Sequence, residues 1–240
     1  SMTEAGMDLE GISCPKGGKS FFWSGSYHMD MNGRDTLATE LNVLADFKPE
    51  IPESWKNARY VMLGNMDPTL QASVLDQMEQ RPELVVLDTM NFWMDIALEP
   101  LKAVIARVDV LTINDEEARQ LSGERSLMKA ARAVLKMGPR YLVIKKGEHG
   151  ALLFHMEGEE IRYFFCPALP LEDVVDPTGA GDTFAGGFIG HVARKGSTDF
   201  ETLKQAVVVG SALASFTCEA FGTDGIRSVN PMEIEERIAS

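Results

Sequence analysis

The chain has 240 residues, 45% of them hydrophobic, which suits one large α/β domain or one domain with a small appendage. Its formal net charge is −13, from 23 basic against 36 acidic residues, and this argues against nucleic acid or an anionic membrane as partner, since both need basic surface. The cysteines, Cys14, Cys166 and Cys218, are scattered and odd in number, so reduced thiols in a cytoplasmic protein are expected; no secretory leader or apolar run of membrane-spanning length is seen.

Residues 11–47 read as a small β segment. One strand is expected over 19–27 and a second over 35–47, where Leu37, Leu41, Val43 and Ala45 alternate loosely with polar neighbours. Between them lies Asn32-Gly33, a strong hairpin signal. Two paired strands outside an α/β alternation suggest a lid, although a hairpin packed on the core would read the same way. Gly18-Lys19-Ser20 has the look of a P-loop ending, but position 13 would have to be glycine and is Ser13.

From Tyr60 the pattern becomes alternating strand and helix. Buried strands are expected at 60–63, 84–87, 110–113 and 141–144, and helices at 67–80, 98–107, 115–121 and 126–137. A meander over 151–155 and 161–165 follows, then a helix ending near Lys195, a long helix over 200–218 and a short one after Pro231. Short βα units of this kind build a parallel sheet covered on both faces. The sequence thus divides into a core over 60–240 and the β segment over 11–47.

Ligands of open parallel sheets sit beyond the carboxyl ends of the strands. The polar residues expected there are Asn65, Asp67, Asp88, Asn91, Asn114, Glu117, Lys145, Lys146 and Asp182. Asn114 and Glu117 have the spacing of a capping box, which local sequence favours; the same pair could organise Mg²⁺ through waters. Lys146-Gly147-Glu148-His149-Gly150 reads as a tight turn, either a plain hairpin or a place where backbone approaches a ligand. The stretch from Val174 to Phe188 carries the chemistry. An apolar entry passes through Asp176-Pro177 into Gly179-Ala180-Gly181-Asp182 and then a helix. The N–H groups of a first helical turn have no partner inside the helix, and the helix dipole adds positive charge there. A carboxylate at the lip of such an anion cradle suits phosphoryl transfer. A dinucleotide fingerprint would need glycine where Phe184 stands, and a Walker A loop would need lysine where Asp182 stands.

Asp176 to Ile189 is similar over fourteen positions to the C-terminal signature of the ribokinase-like (PfkB) carbohydrate and nucleoside kinases. The resemblance implies a three-layer α/β/α fold with a mostly parallel central sheet and a small β lid. It implies an ATP-dependent phosphotransferase acting on a hydroxyl of a sugar or nucleoside. Asp182 would be the catalytic base, and Gly179, Ala180 and Gly181 the anion hole. Asp176 and Thr178 match positions that help hold a monovalent cation, so K⁺ is implied beside Mg²⁺. Asn114 and Glu117 look like the family's metal and phosphate motif. Lys146, Gly147 and Gly150 would line the nucleotide site, with Gly222 in a loop beside the adenine. Trp23, Tyr27, Asn32 and Arg34 would be lid residues over the substrate, and the lid could pair two copies as a homodimer. The family usually has a further strand–helix unit and a Gly-Gly segment ahead of the lid, so a shortened chain with an uncovered strand edge is expected. Two rival readings stand beside the kinase: a non-catalytic nucleotide- or sugar-binding relative, and a hydroxymethylpyrimidine-type kinase, which usually lacks such a lid.

Overall fold

The computed structural model describes residues 2–29, 31 and 33–240. Two strands, β1 (Phe22–Tyr27) and β2 (Arg34–Glu40), form an antiparallel sheet of their own, with an irregularity in register after Ser24. The hairpin residue Asn32 lies outside the described residues. The second lid strand ends at Glu40, short of the expected 47. Asn42 adopts a positive φ of 49° and donates its side-chain amide to the Ser20 carbonyl at 2.9 Å, which turns the chain into a 3-10 segment over Asn42–Asp46.

The main sheet begins with four parallel strands: β3 (Tyr60–Leu63), β4 (Leu84–Asp88), β5 (Val110–Asn114) and β6 (Tyr141–Lys145). Two antiparallel strands, β7 (Ala151–Glu157) and β8 (Glu160–Cys166), complete the order β3-β4-β5-β6-β7-β8. Side chains alternate between the two faces. Val85, Leu87, Leu111, Ile113, Leu142 and Ile144 pack on one side, against α1 (Pro68–Asp76), α2 (Asn91–Ile96), α3 (Leu98–Ile105), α4 (Asp115–Ser122) and α5 (Leu127–Leu135). Leu84, Val86, Val110 and Val143 pack on the other, against α6 (Ala180–Lys195) and α7 (Phe200–Cys218). This is the three-layer α/β/α arrangement expected, and the fully buried β4 explains why its sequence is continuously apolar rather than alternating. Two short helices, α8 (Asp224–Arg227) and α9 (Pro231–Ala239), close the described chain.

Caps set the helix starts. Asp67 accepts from the Thr69 N–H at 2.7 Å ahead of Pro68, and Asp199 accepts from the Thr202 N–H at 2.8 Å. The first helix stops at Asp76 rather than 80, because Gln77 turns its side-chain amide back to the carbonyls of Pro49 and Ser73. Helices α6 and α7 pack backbone to backbone: a Cβ on Gly210 would stand 2.7 Å from the Phe184 carbonyl oxygen. That approach fixes α6 against α7.

Candidate active site

Parallel register brings the ends of β4, β5 and β6 side by side, with Asp88 beside Thr112 and Asn114 beside Lys145. Asp88 is buried at 6% exposure. Its Oδ1 accepts from Thr112 Oγ1 at 2.9 Å and from Lys145 Nζ at 3.0 Å. Burial would lower the Lys145 pKa, but the charges of Asp88, Glu117 and Asp182 outweigh it and raise it, so the group stays an ammonium.

Glu117 and Asn114 form the capping box that local sequence favours. The Asn114 N–H donates to Glu117 Oε2 at 2.7 Å, and the Glu117 N–H donates to Asn114 Oδ1 at 2.8 Å. The box does not displace the pair from the strand-end cluster, because it sits there. Glu117 is 6% exposed, and burial pushes its carboxyl up to about 7 against the lowering pull of the Asn114 N–H and the Lys145 charge. Among the described residues, no three His, Cys, Asp or Glu side chains converge to hold a metal unaided. A buried carboxyl within the field of Asp88 suits instead a hard cation that keeps waters and phosphate oxygens as ligands, which is the habit of Mg²⁺.

The signature stretch enters from a loop tied to the end of α7, where the N–H groups of Val175 and Asp176 both donate to the Cys218 carbonyl, at 2.8 and 3.3 Å. Asp176 Oδ1 accepts from the Thr178 N–H at 2.9 Å. Gly179 then adopts the left-handed conformation, φ 84°, and turns the chain into α6. The Ala180 N–H donates to the Pro177 carbonyl at 3.1 Å within that turn. This leaves Gly181 and Asp182 as the first-turn residues whose N–H groups face the open helix end. Asp182 opens onto the same side, its carboxyl pKa raised by burial and by the Asp88 charge, and restrained by Lys145 and Arg34.

The lid reaches this loop. Tyr27 Oη lies 3.1 Å from Thr178 Oγ1. Trp23 donates Nε1 to Thr36 Oγ1 at 3.3 Å and stacks under the Arg34 guanidinium, whose charge is felt at both Glu117 and Asp182. Lys146, Gly147 and Gly150 form the turn between β6 and β7; a Cβ on Gly150 would meet the Cys166 carbonyl oxygen at 2.1 Å, so packing alone accounts for that glycine. Gly222, with φ 62°, sits in the exposed turn after α7. The structure thus brings together Asn114, Glu117, Asp182 and Gly181, and adds Asp88, Thr112 and Lys145. Sequence places Asp88 and Lys145 among the strand-end polar residues but assigns them no role. The signal for Lys145 is a charged residue closing a strand whose other members are fully buried.

Residues 28–228 match the pfkB family carbohydrate kinases. The chain belongs to the PfkB family. It is 28% identical over 194 residues to a cytidine kinase of Thermococcus kodakarensis, covering 78% of this chain and 66% of that protein. It is 34% identical over 117 residues to an aminoimidazole riboside kinase of Salmonella typhimurium, covering 49% and 35%. This PfkB chain therefore spans at most 66% of the length of these two relatives. Among solved structures, a nucleoside kinase of Burkholderia thailandensis in complex with inosine superposes with a TM-score of 0.75 at 20% identity, over 99% of this chain and 73% of that one. A ribokinase of Thermotoga maritima gives 0.69 at 22% identity, over 93% and 71%. At those identities the likeness establishes the ribokinase fold. No helix among the described residues is long and apolar enough to cross a membrane.

Proposed function

We propose that this chain performs ATP-dependent phosphoryl transfer to a hydroxyl of a sugar or nucleoside. The observation that carries the reading is Asp182 on the first turn of α6, beside the open N–H groups of that helix and within the field of Lys145 and Asp88. Asp182 accepts the proton of the attacking hydroxyl, and its raised pKa makes it a better base than an ordinary exposed aspartate. The first-turn N–H groups and the dipole of α6 stabilise charge on the transferring phosphoryl group. Glu117 and Asn114 are the residues that would hold Mg²⁺ bound with ATP, which would supply charge compensation. Residues 60–240 form the nucleotide and phosphate core, and 11–47 the lid segment.

Trp23, Tyr27 and Arg34 close over the acceptor, and the Tyr27–Thr178 contact joins the lid to the loop that would hold K⁺ through Asp176 and Thr178. Lys146, Gly147, Gly150 and Gly222 border the nucleotide. The exposed lid side chains Phe22 and Leu37, 51% and 67% accessible, favour pairing of two lids in a homodimer, which sedimentation equilibrium checks by returning a dimer mass rather than a monomer mass. The free thiols of Cys14, Cys166 and Cys218 fit a reducing cytoplasmic setting.

The deciding experiment is ADP release from MgATP with a panel of sugars and nucleosides, in KCl and in NaCl. Release should depend on one acceptor class, and Asp182→Asn should lower it by roughly 10²–10⁴. Unchanged turnover in that variant sinks the assignment of Asp182, and equal rates in both salts sink the K⁺ site. A second reading is a binding relative of the same fold without turnover. It predicts nucleotide binding with no acceptor-dependent release.

A further inference from the structure

The ammonium of Lys145 stands across the mouth of α6. A Cβ built on Gly181 would lie 3.3 Å from Lys145 Nζ, so the glycine keeps that space open for the lysine. Taken alone, this is an unfavourable place for a cation, because the N-terminal end of a helix carries partial positive charge. The lysine is held there by Asp88 at 3.0 Å, and Asp88 is itself oriented by Thr112 at 2.9 Å. The anchor is buried, and the Lys145 side chain keeps 20% of its exposure, so the lysine is the less buried end of the pair. The bond to Asp88 uses one of its three donors. Two positive features, an ammonium and a helix end, therefore face one small space beside Asp182. A third party that both attract, an anion between them, turns the repulsion into a clamp.

We infer that Lys145 binds the terminal phosphate of the nucleotide on the same side as the Gly181 N–H, while Asp88 holds the ammonium in place. This rests on the kinase reading above. The rival is a purely structural ion pair between β4 and β6, which would stabilise the sheet and be indifferent to ligand. The two separate in a binding experiment that needs no turnover.

Calorimetric titration of the chain with β,γ-imido-ATP and with ADP, both with Mg²⁺, compares a ligand that has the third phosphate with one that lacks it. Lys145→Met should weaken the imido-ATP by about tenfold or more and ADP by less than about twofold. Lys145→Gln keeps hydrogen bonding to Asp88 without the charge and should show the same selective loss; it decides the matter if the methionine variant does not fold. Lys145→Arg should recover part of the imido-ATP affinity. Equal effects on both ligands in the glutamine variant, or no effect on either, overturn the assignment of Lys145 while leaving the kinase reading intact. Failure of the unsubstituted chain to bind either nucleotide overturns the kinase reading and the Lys145 assignment with it.

Discussion

The chain contains the same capping motif twice. At α4, Asn114 and Glu117 exchange hydrogen bonds of 2.7 and 2.8 Å; at α9, Asn230 and Glu233 exchange bonds of 2.8 and 3.1 Å. Locally the two are equivalent. Their surroundings are not: Glu117 is buried among the charges of Lys145, Asp88 and Arg34, whereas no residue of α9 is buried. The motif makes a helix start in both places, and only burial beside other ionisable groups makes one of them a candidate site.

Activity gives the widest separation. Glu117→Gln keeps an acceptor for the Asn114 N–H but loses the charge, and should lower MgATP-dependent turnover by roughly 10- to 100-fold, the usual cost of removing a group that orients a metal. Glu233→Gln should stay within about twofold. Comparable losses in the two variants would show that the α4 box acts only through folding. Stability against pH sharpens the same contrast. Because the folded pKa of Glu117 is raised from 4.5 to about 7, its contribution is fully present below about pH 4.5 and is lost as pH rises to about 7. The loss should be at most about 3 kcal/mol. Urea midpoints should fall across that window in the unsubstituted chain and less steeply in Glu117→Gln, while Glu233→Gln follows the unsubstituted chain; parallel curves for all three would contradict the assigned shift. Removing the caps should separate them least. Asn114→Ala should cost about 1 kcal/mol in global unfolding. Asn230→Ala should cost less, since α9 buries no side chain, and the change should show as faster amide exchange confined to that helix.

Much of this was legible in the sequence because it is local. The short, mainly apolar runs at 84–87, 110–113 and 141–144 read as covered strands, and the small residues Gly179 to Gly181 ahead of an apolar run read as a helix start. The second lid strand was overextended because its end depends on Asn42 reaching the Ser20 carbonyl, a contact that hydrophobic alternation does not report. The helix α2 is not legible because its six residues, Asn91–Ile96, are too few to show a helical period. The role of Lys145 was illegible for a stronger reason. Its partner Asp88 lies at the end of a different strand, and β5, carrying Thr112, stands between them. Which of two adjacent lysines enters the cleft is set by strand phase and by that distant carboxylate, so Lys145 joins the cluster and Lys146 belongs to the turn.

The close approach of Gly210 to the Phe184 carbonyl has a mechanical meaning. Asp182 rides on α6, and α6 meets α7 at Gly210 with room there for the Phe184 carbonyl and ring but not for a further Cβ. Displacing one helix displaces the other, so the placing of the carboxylate is inherited from a helix that carries no reacting group. Position 210, where a single methyl group would stand 2.7 Å from the Phe184 carbonyl oxygen, therefore bears on a carboxylate it never touches.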